Sequence, residues 1–573
     1  MAVATRAAVA AIALAAVVIC AGLGQAPFDD PGEGMHAEIA RELVVSGDPF
    51  ALTLAGVRYV DKPPLLYVMM AAAFTVLGPS EGAARLPSAL AALVAVGATA
   101  WLGARLLGVG GGLLAGVALT TSLGFFAYAR YVRPEALLVA VLATGFTLAL
   151  TGIGERRRAL VVAGLAVFGV AGLAKDPVAA VAPPLAVGLG LLLCRRARPV
   201  SAWLPVPGVA IGLVLAVGWW VLAEVRTPGF TWYTVVDNHL LNVARARHFP
   251  DEDVPLGAAG FLAVAAGGAV PWIVGALVSI GSLARRRAWR DPSELPWVVL
   301  AVWTIGVLGL TALSPFRLPH YGLPAYPAIA LLGARAWVTG RGGSLAAVHA
   351  AVFAVAALAC AAGWASDGRV FFSDVMSATD VATRKTGDAA AAGLPPWDTL
   401  SPLLGATALV SASGTVAIVI ASLRWRARSL VPASALVAVT MLAAMPIVAA
   451  ALAMVATHRA VRPVALEVAA RIGAGDTLVH EGPLENSGAL EWYAGRRPVI
   501  VDGRRSVLGF GATLPGASAA FWERDRLGRA WAARERVWLV TAREPSVSVV
   551  KELGGARLVL AAGGRRLYVN RDE

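Results

Sequence analysis

Apolar runs of about 20 residues recur along this chain, and that is the length a helix needs to cross roughly 30 Å of hydrocarbon at 1.5 Å per residue. Between them lie short polar stretches. With 58% hydrophobic and 15% charged residues, the chain is too apolar for a soluble core, where about a quarter of residues are charged. Its mean hydropathy of +0.70 points the same way, to a polytopic helical protein that uses lipid as solvent.

The spacing predicts spans at 7–24, 86–104, 110–129, 134–152, 158–174, 178–194, 205–224, 256–280, 296–313, 324–338, 344–365, 401–423 and 430–456, about 13 crossings. The first run follows Arg6 and reads as an uncleaved helix, because a removable leader is not followed by so many further spans. The formal net charge of +13 does not indicate a nucleic-acid partner, because the dense arginine clusters sit between spans. They are Arg156, Arg157 and Arg158; Arg195, Arg196 and Arg198; Arg285, Arg286, Arg287 and Arg290; and Arg424, Arg426 and Arg428. These read as cytoplasmic anchors. The apolar segment Pro63 to Gly78 is short for a crossing; taken as an interfacial helix, it leaves all four clusters on the cytoplasmic side. That assignment puts the N-terminus inside, and the stretches 25–85, 130–135, 175–177, 226–255, 314–323 and 367–400 together outside. Cys20, Cys194 and Cys360 lie far apart in or beside apolar runs, a pattern of apolar filler, with neither disulfide nor metal spacing.

From about residue 457 the hydropathy falls, and strand-like runs at 477–479, 498–501, 537–540, 558–560 and 566–569 alternate with helical segments. The expected division is a membrane domain over 1–456 and a small extracytoplasmic α/β domain over 457–573. Its Gly495-Arg496-Arg497 and Gly503-Arg504-Arg505 repeats read as solvated turns, or else as contacts for an anionic acceptor or headgroup.

In the first outer loop, Glu33 to Val45 places Ile39, Ala40, Leu43 and Val44 on one face and Glu38, Arg41 and Glu42 on another. This is an interfacial amphipathic helix stopped by Gly47. Asp29-Asp30-Pro31-Gly32-Glu33 precedes it and Tyr59-Val60-Asp61-Lys62-Pro63-Pro64 follows, gathering carboxylates and a lysine at the membrane surface. By composition alone these are equally solvated loop charges.

The stretch F-D-D-P-G-E-G-M-H-A-E-I-A-R-E-L-V-V-S-G-D-P, then G-V-R-Y-V-D-K-P-P-L-L-Y and A-A-R-L-P-S-A-L, resembles the first outer loop of bacterial lipid A aminoarabinose transferases. It is also similar to the wider dolichyl-phosphate-mannose protein mannosyltransferase superfamily. Tyr131-Val132-Arg133-Pro134-Glu135 resembles a short loop carrying an acidic site residue. The run from Leu313 to Pro327, L-S-P-F-R-L-P-H-Y-G-L-P-A-Y-P, resembles a late signature of the family.

The resemblance implies a GT-C membrane glycosyltransferase in the bacterial inner membrane, with its site and C-terminal domain extracytoplasmic. It would move sugar, with inversion, from a polyprenyl phosphate carrier to a lipid A, glycan or protein acceptor. A leaving phosphate requires nearby positive charge, and Lys62 and Arg317 are the candidates. Tyr59, Asp61, Lys175, His239 and Tyr321 complete the donor set that the resemblance implies. An acceptor hydroxyl requires a carboxylate base; relatives carry an Asp where this chain has Gly32, so Asp30 or Glu33 is expected in that role, with Glu135 as a second acidic residue. No cofactor is expected, and the histidines show no metal-ligand spacing. A transporter or flippase is the rival class, though no internal repeat is visible. A catalytically impaired relative that binds the lipid carrier is the other alternative, raised by Gly32.

Overall fold

The computed structural model describes residues 2–195, 199–340, 343–380, 393–424 and 431–571. Arg196, Arg198, Arg426 and Arg428 of the basic clusters lie outside the described residues. Among those described, eight helices are long and apolar enough to cross a membrane, and nine if one sharply bent pair counts as a single span.

The chain begins with α1 (Ala2–Cys20), α2 (Gly34–Ser46), α3 (Leu65–Leu77) and α4 (Glu81–Thr120). Gly47 ends α2 in the left-handed conformation, at φ 68°, the stop its position in sequence predicts. The predicted spans 86–104 and 110–129 join in α4, a 40-residue element broken at Gly108, where φ is 81°. Gly103 lies against Gly112, and Ala100 against Gly116. The two halves therefore run antiparallel as a helical hairpin, turning on a residue that alone adopts this backbone without strain. Helix α1 seats Ala11 on Gly116 and Ile12 on Gly97, close packing of the kind small residues allow between membrane helices.

Next come α5 (Leu123–Ala129), α6 (Glu135–Glu155), α7 (Arg158–Ala174), α8 (Pro177–Leu193) and α9 (Val206–Arg226), then a π-helical segment, Trp232–Leu241. Helices α7 and α9 pack backbone to backbone: a Cβ at Gly169 or Gly172 would overlap the Gly212 or Ala216 carbonyl. The single span predicted at 256–280 is instead two helices, α10 (Ala258–Gly268) and α11 (Trp272–Arg285), bent by 107°. The physical reason is Pro271, which directly precedes α11 and has no N–H to continue a helix. Helices α12 (Leu295–Leu313), α13 (Tyr326–Thr339), α14 (Gly343–Ala365), α15 (Arg369–Thr379), α16 (Trp397–Arg424) and α17 (Val431–Arg459) follow.

At one end of the bundle the turns are basic. Arg156, Arg157, Arg158, Arg195, Arg285, Arg286, Arg287 and Arg290 are exposed there, Arg105 pairs with Glu155, and Glu294 joins Arg286 to Arg335. At the other end, loops distant in sequence bond to one another: Asp48 with Arg226 at 2.5 Å, Arg58 with Thr227, and Asp61 with Asn238.

The C-terminal unit opens with α18 (Arg462–Arg471), and also holds α19 (Leu490–Ala494) and α20 (Arg524–Ala532). A two-strand ribbon in the first loop supplies β1 (Thr53–Leu54) and β2 (Val57–Arg58); the main sheet is β3 (Thr477–Glu481), β4 (Val499–Val501), β5 (Phe521–Trp522), β6 (Val537–Thr541), β7 (Arg557–Ala562) and β8 (Arg565–Val569). The order is β5-β4-β3-β6-β8-β7. The first four strands are mutually parallel, and β6, β8 and β7 pair antiparallel. Every residue of the central β6 is buried, as a strand covered on both faces requires.

Candidate active site

The K-D-P segment sets the first cation. Asp176 accepts from the Ala179 N–H at 2.9 Å and Pro177 opens α8, a cap and a preset dihedral that fix the α7–α8 turn and hold Lys175 at its apex. Pro134, with its preset dihedral, is the N-cap of α6, whose first residue is Glu135. Glu135 is buried, and its Oε1 accepts from Lys175 Nζ at 3.1 Å and lies 3.3 Å from His320 Nε2. Its Oε2 is buried with no hydrogen-bond partner among the described residues. The Lys175 ammonium also lies 4.9 Å from the centre of the Tyr321 ring, and His320 stacks edge-on against Tyr321.

Lys62 pairs with Asp61, which also accepts from Asn238 Nδ2 at 3.3 Å. Arg247 binds Asn238 and, at 2.9 Å, Asp251. His36 donates to or accepts from the Tyr67 hydroxyl at 2.8 Å, and Tyr67 reaches Tyr59 at 3.3 Å. The charges of Arg133, Lys62, Glu135 and Asp61 all act on His36, so these groups surround it.

Burial, with Arg133 and Lys62 adding to it, pushes the His36 imidazole down to about 3. It is neutral at physiological pH. Burial also works against the Lys62 ammonium, but Asp61 and then Glu135 outweigh it and hold its pKa above the usual lysine value. Lys175 thus contacts the buried Glu135 carboxylate directly, while Arg133 and Lys62 interact with it through their charges. Such a cluster can hold a phosphate by charge-assisted hydrogen bonds, which are strong where water is scarce.

The sequence-nominated residues divide. Lys62, Asp61, Tyr59, Lys175, Glu135 and Tyr321 come together. Arg317 is turned to carbonyls, donating to Leu256 O at 2.8 Å and Ala312 O at 3.1 Å, and thereby pins the loop that carries His320. His239 is exposed and bonded to Thr234 O; its neighbour Asn238 is the residue that reaches Asp61. Glu33 is fully engaged: Arg85 grips it at 2.8 and 2.6 Å, and the Val132 and Asp29 N–H groups each donate to it at 3.0 Å. Asp30 accepts from the N–H groups of Val461 at 3.0 Å and Ala489 at 3.2 Å. Its burial raises its pKa to about 6, against the pull of Arg565. Gly32 faces the Tyr131 hydroxyl, which a Cβ there would overlap.

Arg133, His320 and His36 are the members that sequence reasoning missed. Arg133 and His320 lie inside motifs already singled out, each beside a nominated residue, so the signal was present. Among the described residues, Glu38, Glu42 and Glu491 bring carboxylate oxygens within 4.8 Å of one another. Arg41 and Arg497 pair with them, and they stand apart from Lys62.

The family model for dolichyl-phosphate-mannose-protein mannosyltransferase matches residues 61–221, the segment that holds Asp61, Lys62, Arg133, Glu135 and Lys175. An undecaprenyl phosphate-alpha-4-amino-4-deoxy-L-arabinose arabinosyl transferase of Pseudomonas fluorescens is 27% identical over 53% of this chain and 52% of its own length. One from Pseudomonas aeruginosa is 28% identical over 57% and 61%. The match thus spans between half and two thirds of these relatives. The crystal structure of ArnT from Cupriavidus metallidurans bound to undecaprenyl phosphate superposes with a TM-score of 0.79 at 22% identity, covering 98% of both chains. The chain thus shares the fold of that ArnT structure from end to end, and the segment that builds the cation cluster is similar to the dolichyl-phosphate-mannose-protein mannosyltransferase family.

Proposed function

We propose that the protein is a membrane glycosyltransferase that takes a sugar from a polyprenyl phosphate carrier and passes it, with inversion, to a lipid A, envelope-glycan or protein acceptor. The observation that carries this reading is the buried Glu135 carboxylate bonded to Lys175, with the charges of Arg133 and Lys62 also acting on it, at one end of a helical bundle. The cations neutralise the carrier phosphate as its bond to the anomeric carbon breaks, which lowers the barrier to the extent that the charge develops there. Glu135, with one oxygen held by Lys175 and the other without a hydrogen-bond partner among the described residues, is our candidate to receive the acceptor's proton. Tyr59, Asp61 and Tyr321 shape the donor side. Asp30, Glu33, Arg317 and His239 act on the scaffold around it.

The membrane arrangement that goes with this reading has 13 crossings. The two halves of α4 cross separately, the bent α10–α11 pair crosses once, and α7, α8 and α13 are short spans. The N-terminus and basic turns face the cytoplasm. The domain boundary falls near residue 457, with the cation cluster and the sheet on the outer side.

The test is transfer of labelled sugar from undecaprenyl phosphate carriers to lipid A by purified protein. Turnover by wild type, with a loss of at least about a hundredfold in Glu135→Gln, supports the reading; no turnover from any carrier rejects it. The overlap at Gly32 favours a second reading, an impaired paralogue that binds the carrier without transfer. Under that reading wild type binds undecaprenyl phosphate and turns over nothing. Gly32→Asp would then gain transfer only when Tyr131→Ala is introduced with it.

A further inference from the structure

The carboxyl ends of β3, β4, β5 and β6 lie along one edge of the C-terminal sheet, because these four strands are parallel. In open sheets of this kind, ligands sit in the crevice beyond those ends. A cavity of about 360 Å³ occupies that edge here. Asp502 and the Arg504-Arg505 pair enter it after β4, Trp522 from β5, Arg524 from the start of α20, and Arg543 after β6. The volume is at the lower end of the range for small-molecule pockets, about 300–1,000 Å³. That suits one sugar-sized unit better than a bare ion.

The charges are unequal. Four arginines line the cavity against two carboxylates, Asp502 and Glu523. Arg524 is held by Asp502 at 2.6 Å and Glu552 at 3.0 Å, and Arg543 lies 3.3 Å from both Glu481 and Asp502. These ties fix two guanidinium groups in place. Among the described residues Arg504 pairs only with the outlying Glu523, at 3.3 Å and 80% exposed, and it lies over the Phe521 ring. The Arg505 side chain has no ion pair or hydrogen bond among the described residues. The indole N–H of Trp522, a lining residue, is also without an acceptor among the described residues. Two positioned arginines, two with unspent donors and carboxylates for hydroxyl groups make a site for an anion joined to a polyol.

We propose that this cavity binds a phosphorylated monosaccharide unit from the aqueous side, with the phosphate on Arg504 and Arg505 and the sugar hydroxyls toward Asp502 and Glu523. Arginine forks match phosphate oxygens in pairs, and the cavity beside them leaves room for the ring. None of the residues that line the cavity belongs to the Lys62 cluster, and the proposed binding does not depend on sugar transfer.

The experiment is equilibrium dialysis of the full-length protein in detergent against radiolabelled glucose 1-phosphate. Arg504 and Arg505 are exposed, so Arg504→Gln with Arg505→Gln leaves the sheet folded, which a thermal melt verifies. Saturable binding is expected, weakened at least about tenfold by that double substitution, the loss expected for a charge-assisted contact, and unchanged by Lys62→Ala. Glucose and inorganic phosphate should each compete much less well than the labelled compound. The proposal is overturned if no saturable binding occurs, or if the double variant binds as wild type does. It is equally overturned if Lys62→Ala abolishes binding, which assigns the label to the other cluster, or if inorganic phosphate or glucose alone competes equally.

Discussion

Lys62 and Glu33 sit in the same loop and carry opposite consequences for the fold. Lys62 is partly exposed and paired with its neighbour Asp61, whereas Glu33 is buried against Arg85 with every nearby donor aimed at it. Removing one partner of a buried pair leaves an uncompensated charge and costs roughly 3–5 kcal/mol. Glu33→Gln is therefore expected to lower the thermal unfolding midpoint in detergent and to lose activity with it. Lys62→Ala should lose transfer with the midpoint nearly unchanged. A Glu33→Gln protein as stable as wild type would contradict the structural role. Asp30 makes a second prediction. Its folded pKa of about 6 lies above the unfolded value of about 3.9, so the folded state binds the extra proton. The stability this supplies is present in full below about pH 4 and is lost as pH rises through about 6, a swing of at most about 3 kcal/mol. Relative to Asp30→Asn, wild type should thus lose stability between pH 4.5 and pH 7.5 in thermal melts; a constant difference between the two would show that Asp30 does not titrate. Part of this was legible in sequence. The motif that singled out Asp30 and Glu33 reports a charge without saying what faces it, and their partners, Arg85, Val461 and Ala489, are distant in the chain. Lys62, Glu135, Lys175 and Tyr321 were nominated through the motifs of the resemblance, and for two of them local sequence also fixes direction: Glu135 opens α6 after Pro134, and Lys175 ends α7 ahead of Pro177.

At the scale of elements, hydropathy located most helices to within a few residues, from α7 (Arg158–Ala174) to α12 (Leu295–Leu313), because burial in lipid leaves a composition signal. It could not show the bend at Pro271 within an unbroken apolar run, nor the two-residue β5. The glycines of α7 are another feature that hydropathy reads only as apolar filler. Gly172 meets the Ala216 carbonyl of α9 directly, and Gly169 meets Gly212 one turn earlier. The Trp220 indole of α9 donates to the Gly172 carbonyl at 2.9 Å, so the contact is both packed and bonded. Gly172→Leu should drive the helices apart and cost several kcal/mol, as overpacking of a close contact does. Fluorescence-detected size exclusion should show a loss of monodisperse protein after mild heating. Gly154→Leu, at a position with open space around its Cβ, is the control and should behave as wild type. Equal behaviour of the two would remove the packing argument.

Across the whole molecule, the first loop is clamped to the C-terminal unit at several points. Arg459, at the end of α17, grips Asp29 at 2.7 Å and Asp380 at 2.7 Å. Asp30 takes the N–H groups of Val461 and Ala489. Phe28 packs edge-on against Trp492, and Gly34 and Gly488 allow α2 to touch the chain at Met35 and Ala489. These ties put the sheet and the cation cluster at the same end of the bundle, with Arg156, Arg157 and Arg158 at the other. Sidedness then becomes a single choice for the whole chain, because no loop can change compartments without breaking the clamp. With Cys20, Cys194 and Cys360 replaced, a cysteine at Arg504 should react with a membrane-impermeant maleimide applied to spheroplasts, whereas one at Arg157 should react only after permeabilisation. The reverse pattern would invert the protein in the membrane and carry the cation cluster to the cytoplasmic side. Labelling of both positions in intact spheroplasts would mean that the basic turns and the sheet share a compartment, which the bundle geometry forbids.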